Sequence, residues 1–502
     1  MEMDHDACYR AVETRDPRFD GKIFGGVKTT GIYCRPVCPA RTPKRENMLF
    51  FPTAAAAQEA GFRPCLRCRP ETSPDLGAWR GTSNTVSRAL GLIEAGAMDD
   101  GDVEALASRL GVGERQLRRL FRQHLGASPV AVAQTRRVLL AKQLIHETPL
   151  PMAEVALAAG FGSVRRFNET FQQLYDRPPS ALRRAGAAEA SAGEGGAVTL
   201  KLRYRPPYDW EGIIAFLALR AVPGVETVAA RRYARTLQIG EDRGVVAVEP
   251  GDGDFLTATL RFQKLSTLPA VIARVRRVFD LTADPETIAA HLGEDPFLAP
   301  LVAARPGLRA AGGWDGFELA VRAILGQQIT VAAARGLAAR MTAAFGESLP
   351  TELSAEGLSR LFPTPERLAA ADIASLGMPQ SRAKALAGLA EAAVSDPHLF
   401  APRASLEEAV ARLRDLPGVG EWTAQYIAMR ALREPDAFPH ADIGLMRGIA
   451  SEFGRRPTPA ELLARAEPWR PWRAYAALHL WAADSGAQAK TSKGDHDVIA
   501  AA

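Results

Sequence analysis

Apolar residues recur at helical spacing twice in the first third of the chain. Val103, Leu106, Ala107 and Leu110 form one stripe, Gly111 turns the chain, and Leu117, Leu120 and Phe121 begin another. The pattern returns further on, with Gly160 in the place of Gly111 and with Phe167 and Phe171 in the places of Leu117 and Phe121. This internal repeat predicts two helix-turn-helix units joined by a helical stretch from Val130 to Ile145. From Thr199 the text changes. Strand-like alternation in YARTLQI, GVVAVEP and FLTATLRF mixes with one helix after PPYDW and another from Pro269 to Phe279. From Pro285 onward the chain reads as helical. There Phe317, Val321, Ile324 and Leu325 make a buried stripe, which the pair Gln327-Gln328 interrupts.

Between these blocks, AGAAEASAGEGGA has no apolar periodicity and reads as a flexible linker, while Trp79 to Thr85 is a short polar connection. With 502 residues the length prior is about three domains. The expected division is a four-cysteine domain at 1–78, a double helix-turn-helix domain at 79–184, the linker at 185–197, an α+β domain at 198–285 and an all-α domain at 286–502.

Composition narrows the setting. Hydrophobic residues at 47% and charged residues at 24% are ordinary for globular protein. No apolar run reaches the roughly 20 residues that a membrane span needs, and the start MEMDHDACYR is unlike a signal peptide. The expectation is therefore a cytoplasmic, nucleoid-associated protein that does not engage membranes. Net charge is +5, and the basic excess lies within residues 1–184, where charge-driven attraction to DNA is expected to be strongest.

All five cysteines lie between positions 8 and 68. Cys34, Cys38, Cys65 and Cys68 read C-x3-C, then twenty-six residues, then C-x2-C, the arrangement that four thiolates around one tetrahedral Zn²⁺ require. Cys8 lies outside the pattern and reads as a plain thiol. The surrounding words TTGIYCRPVCPAR, REN and AGFRPCLRC resemble the N-terminal domain of the Ada-type DNA methylphosphotriester repair proteins, over residues 1–75. The resemblance implies that Cys34 accepts a methyl group from a methylated backbone phosphate, with Cys38, Cys65 and Cys68 completing the zinc site. Methylation would remove one negative charge near DNA, and Arg35, Arg41, Arg45 and Arg67 would then help the domain to bind. A closed, purely structural zinc site is the alternative.

Two helix-turn-helix units on one connecting helix resemble the AraC-type transcription factor domain, which reads adjacent major-groove segments. The resemblance places recognition helices near Glu114 and Ser163. It turns Arg115, Gln116, Arg119, Arg165, Arg166 and Asn168 toward DNA and implies RNA polymerase as a further partner.

A third signal lies in Leu416 to Asp442, LPGVGEWTAQYIAMRALREPDAFPHAD. The glycine turn opening a helix near Glu421 can aim backbone N–H groups and the positive end of the helix dipole at one phosphate. The stretch resembles the helix-hairpin-helix DNA glycosylases, and residues from Thr199 onward, including PPYDW, resemble the AlkA-type enzymes that remove alkylated bases such as 3-methyladenine and 7-methylguanine. That resemblance implies a DNA backbone grip at Gly418 and Gly420, with a possible monovalent cation. It implies a base pocket of Trp422, Tyr426, Trp481 and Phe216, and a catalytic carboxylate at Asp442; an Asp at a helix start is also an ordinary cap. Relatives that cut the backbone carry a lysine where Trp422 stands, so a monofunctional enzyme without lyase activity is expected. No cysteine follows Cys68, which excludes the iron–sulfur cluster of some relatives, and no PCHR motif for O6-alkylguanine repair occurs.

The chain departs from the family in two places. Gln328 stands where close relatives place a leucine wedge, leaving a polar plug as open as an apolar one. Ala482 stands beside Trp481 where an aromatic is expected. The whole reads as a methyl sensor, DNA-binding regulator and alkylbase glycosylase in one chain. The alternative is a transcription regulator whose C-terminal half only binds DNA.

Overall fold

The computed structural model describes residues 4–74, 84–99, 101–183, 197–355, 357–401, 403 and 405–484. The expected linker lies almost wholly outside the described residues, as does most of the connection at 79–85.

The cysteine-rich region forms a small sheet. Phe24–Val27 pairs antiparallel with both Ile32–Cys34 and Met48–Phe51, and Arg63–Pro64 adds a short parallel edge. Tyr33, fully buried, anchors the strand Ile32–Cys34, in which its neighbour Cys34 pairs with Gly25.

The repeated apolar stripes fold as read. The pair Val103–Arg109 and Glu114–Leu125 is followed by the connecting helix Pro129–Glu147 and by the pair Met152–Ala158 and Val164–Tyr175. Leu117, Phe121, Phe167 and Phe171 are fully buried. Gly111 and Gly160 adopt φ of +67° and +85°, and a Cβ at Gly160 would sit 2.4 Å from the Asp99 carboxylate, so the second turn admits only glycine. Asp99 in turn accepts from Arg136 and Arg137 of the connecting helix.

The α+β region is a five-stranded antiparallel sheet in which Val198–Arg203 is an edge strand. A bare edge invites wrong pairing. Here the connecting helix covers it, with Gln143 donating to the Lys201 carbonyl at 2.9 Å and Glu147 accepting from the Lys201 N–H at 3.1 Å. One apolar core accordingly runs from Val138 and Phe171 through Trp210 and Leu260 to Trp314. The remaining helices pack around two further cores, one built on Ile324, Leu389 and Ile427, the other on Leu298, Trp469 and Leu480. No described helix is long and apolar enough to cross a membrane.

Two ion pairs, the first of them buried, join the N-terminal half to the C-terminal half. Arg88, on Asn84–Glu94, meets Glu434 at 2.6 Å with both side chains almost fully enclosed, and Lys22 meets Asp284 at 3.0 Å. Burial pushes the Glu434 carboxyl up, with the Arg88 charge opposing it. Removing one partner of such a pair leaves a charge without its counter-ion in a poorly solvating place. Glu434→Ala is therefore expected to destabilise the chain by about 3–5 kcal/mol, read as a lower melting temperature. An unchanged melting curve would show that the pair does not hold the halves together.

Candidate functional site

The glycine turn and the helix after it fold as the spacing predicts. Gly420 caps the helix Glu421–Arg430 without using a side chain, and a Cβ there would meet nothing within 4 Å, so the backbone is open to close approach. Gly418 has φ of +78° and its missing Cβ would lie 2.5 Å from that of Ala385, which leaves room for no other residue. The first-turn N–H groups of this helix have no intrahelical acceptor and point with the positive end of its dipole.

Asp442 is held beside the same helix by its loop. Gln425 accepts from the Phe438 N–H at 3.0 Å, and the Asp442 N–H donates to the Pro439 carbonyl at 2.9 Å. Asp442 does cap the following helix Ile443–Gly448, with Oδ1 accepting from the Leu445 N–H at 3.0 Å. The same carboxylate that caps this helix is also bound by two indoles. Trp422 Nε1 donates to Oδ2 at 2.8 Å and Trp481 Nε1 donates to Oδ1 at 2.8 Å. Gly444 permits the second contact, since a Cβ there would lie 3.0 Å from Asp442 Oδ1 and 3.1 Å from the Trp481 ring. Two indoles contributed by different helices thus meet on one carboxylate, the second from a last helix over 473–484 that also carries Ala482.

Tyr426 stacks on Trp422 with ring centroids 5.2 Å apart and planes 13° from parallel. Phe216 reaches the same wall from the helix Trp210–Arg220, but protein cations attend its ring: the guanidinium of Arg220 lies 3.9 Å and that of Arg430 4.3 Å from its centroid. Arg430 also lies 5.2 Å from the Tyr426 centroid and 5.7 Å from that of Trp481. Arg430 pulls its neighbour along: burial raises the Tyr426 phenol, and the charges of Arg430 and Arg220 more than offset this, so its pKa is lowered. Burial brings Arg430 itself down to about 10, which leaves it a cation near neutrality. Arg220 and Arg430 escaped the sequence reading, although each stands four residues after a predicted pocket aromatic, on the same helix face.

In the cysteine-rich domain the four Sγ atoms of Cys34, Cys38, Cys65 and Cys68 lie within 4.8 Å of one another. Tetrahedral Zn²⁺ at a Zn–S distance near 2.3 Å places sulfurs roughly 3.8 Å apart, so the cluster fits one ion. Backbone N–H groups of Arg35 and Arg67 donate to Cys68 Sγ and Cys65 Sγ at 3.4 and 3.3 Å, as thiolates require. Cys34 is the one ligand of the four that is only partly buried, whereas Cys8 is buried elsewhere.

The basic residues around this site divide. Arg41, Arg45 and Arg67 are exposed, Arg45 pairing with Asp6. Arg35 departs from the expectation of a DNA contact. It is paired with Asp20 and donates to Thr72 Oγ1 at 2.6 Å and to the Cys68 carbonyl at 3.1 Å, so it braces the metal loop. Behind that loop the connecting helix supplies Lys142, fully enclosed, 2.8 Å from Glu71 and 3.1 Å from the Cys65 carbonyl. In the recognition helices Arg115, Gln116, Arg119, Arg165, Arg166 and Asn168 are all exposed, and Arg165 pairs with Glu169 on its own helix at 2.8 Å.

A glycine hairpin opening a helix, a carboxylate bound by two indoles, a four-sulfur cluster and paired helix-turn-helix units together fit a DNA repair and regulatory class of protein. Family models agree with each part: "Metal binding domain of Ada" matches residues 7–71, "Helix-turn-helix domain" 106–185, "AlkA N-terminal domain" 199–315 and "HhH-GPD superfamily base excision DNA repair protein" 321–474. The chain belongs to the family of bifunctional transcriptional activator/DNA repair enzymes of the AlkA kind, being 42% identical over 96% of its length to 97% of the probable such protein of Mycobacterium tuberculosis. It is also 42% identical over 290 residues to DNA-3-methyladenine glycosylase 2 of Escherichia coli, covering 56% of this chain and 95% of that one. Among solved structures the fold of its C-terminal part is similar to the 3-methyladenine DNA glycosylase of Archaeoglobus fulgidus, with TM-score 0.50 and 22% identity over 57% of this chain and 98% of that one.

Proposed function

We propose that the C-terminal half removes alkylated bases of the 3-methyladenine and 7-methylguanine type from DNA by monofunctional hydrolysis, with Asp442 as the catalytic carboxylate. The observation that carries this is the meeting of the Trp422 and Trp481 N–H groups on Asp442, which aims a fixed negative charge at the mouth of an aromatic wall. The glycosidic bond is unreachable inside the stack, so the nucleotide must swing out. Gly418 and Gly420 hold the backbone while Gln328 fills the gap. When the C1′–N bond breaks, its electron pair leaves with the methylated base and the sugar becomes an oxocarbenium ion. Asp442 stabilises that cation until water adds to C1′ and loses a proton. Trp422, stacked on Tyr426, offers a π face to a cationic base. Phe216, attended by Arg220 and Arg430, contributes shape rather than cation attraction.

No lysine stands at position 422 to form a Schiff base with the sugar. Incubation with DNA containing 7-methylguanine is expected to give strand breaks only after alkali; breaks without alkali would overturn the monofunctional assignment. Replacement of K⁺ by tetramethylammonium at constant ionic strength is expected to weaken DNA binding if the hairpin carbonyls hold a monovalent cation, and unchanged binding would dismiss that cation.

In the N-terminal half, Cys34 Sγ attacks the methyl carbon of a methylphosphotriester. The S–C bond forms, the C–O bond breaks, and its electron pair stays on the phosphate as a diester. Cys34, Cys38, Cys65 and Cys68 would hold Zn²⁺, which when bound would keep the sulfur deprotonated at neutral pH. The site then carries one negative charge fewer, so it repels DNA less, and the exposed Arg41, Arg45, Arg115, Arg119, Arg165 and Arg166 add to the grip. Promoter DNA and RNA polymerase are the partners this switch serves. Incubation of the full chain with a methylphosphotriester duplex, followed by mass spectrometry of the Cys34 peptide, tests the transfer directly.

A further inference from the structure

The turn between the helices Gly316–Leu325 and Val331–Phe345 ends in an exposed tip at Gln328, which has φ of +58°. Left-handed backbone is uncommon for a residue with a side chain and persists where neighbouring bonds impose it. The residue before the tip supplies those bonds. Gln327 Nε2 donates to the Gly418 carbonyl at 2.9 Å and to Thr423 Oγ1 at 3.0 Å, while its own backbone carbonyl accepts from Arg382 Nη2 at 2.6 Å. Arg382 sits on the helix Gln380–Ser395, whose Ala385 also fits against Gly418. Tip and hairpin are therefore tied to each other by one amide and to a common helix by one contact each.

We propose that Gln327 is a positioning residue for base excision, fixing the distance between the hairpin that grips the backbone and the tip that enters the duplex. The inference rests on the glycosylase reading above. Extruding a nucleotide means pushing on the stack while holding the strand, and a tip free to recoil would push on nothing. The two acceptors, a carbonyl and a hydroxyl, lie 91 and 96 residues away in sequence and call for a donor with two hydrogens at the end of a three-carbon stem. Only the primary amide of glutamine offers this without adding charge.

The test uses the full chain and the variants Gln327→Glu, which keeps the shape and loses the donor, and Gln327→Ala. Duplexes carry 7-methylguanine for single-turnover excision, or 2-aminopurine beside an abasic-site analogue to report unstacking by fluorescence. Both variants are expected to lose excision by about tenfold or more, as displacement of a reacting group by a fraction of an ångström does. The 2-aminopurine signal is expected to fall in parallel, while affinity for undamaged duplex and the melting temperature stay near wild type. Thr423→Val, which removes one acceptor and keeps the amide, is expected to shift both readouts the same way by a smaller factor. Wild-type rates in Gln327→Glu, or equal losses in excision and in undamaged-DNA affinity, would overturn the positioning role. If the wild-type protein excises nothing, the glycosylase reading fails; a 2-aminopurine signal that still disappears in Gln327→Glu then upholds the positioning role independently.

Discussion

Asp442→Asn is expected to lower single-turnover excision of 3-methyladenine by roughly 10²- to 10³-fold, the range seen when one preorganised electrostatic group is removed from a catalytic site. The substitution is close to isosteric, and an amide oxygen can still accept from the Leu445 N–H and from Trp481 Nε1. Two things change. The negative charge that answers the oxocarbenium ion is lost, and the amide N–H₂ faces Trp422 Nε1, donor against donor, where Oδ2 now accepts at 2.8 Å. The cap survives, so a folding loss of no more than about 1 kcal/mol accompanies the loss of rate. Binding to an abasic-site duplex separates these effects and is expected to persist. Retained excision in Asp442→Asn would remove this residue from the mechanism.

Cys34→Ser is expected to abolish methyl transfer from a methylphosphotriester duplex while leaving base excision intact. A serine hydroxyl is a far weaker nucleophile than a metal-bound thiolate at neutral pH, and oxygen is a poorer partner for a site otherwise built of sulfur. Cys38, Cys65 and Cys68 are buried, so Cys34 is the ligand through which a phosphotriester can be approached. The brace behind them, Lys142 with Glu71 and the Cys65 carbonyl, does not involve Cys34 and should keep the loop in place. Affinity for promoter DNA should no longer rise after exposure to the methylating duplex. Labelled methyl recovered on the Cys34→Ser protein would overturn the assignment, and loss of excision in the same variant would show that the halves are not separable.

How much of this could be read from the chain differs from residue to residue. The recognition helices were legible because their stripes repeat and because Gly111 and Gly160 mark turns that need left-handed backbone. The metal site was legible because two close cysteine pairs are a local pattern. Asp442 stood out through its distance from the hairpin, and the structure shows it both capping a helix and bound by Trp422, an arrangement compatible with the proposed site. The engagement of Arg35 by Asp20 was not legible, since its nearness to Cys34 in sequence says nothing of that partner.

The sequence by itself determined the order of modules, the helices and strands, the four-cysteine set and the residues that could do chemistry. Each of these depends on periodicity, turn stereochemistry or short spacing, which act between near neighbours. Tertiary structure alone decided that Trp481 and Trp422 share Asp442, that Arg220 and Arg430 attend Phe216, that Gln327 ties the tip to the hairpin, and that the connecting helix shields the edge strand at Lys201. Apart from Arg220, one helical turn from Phe216, those contacts join residues 20 to more than 200 positions apart. Directional hydrogen bonds and buried charges select them only once the cores have closed and water has been excluded, and no local pattern encodes that event.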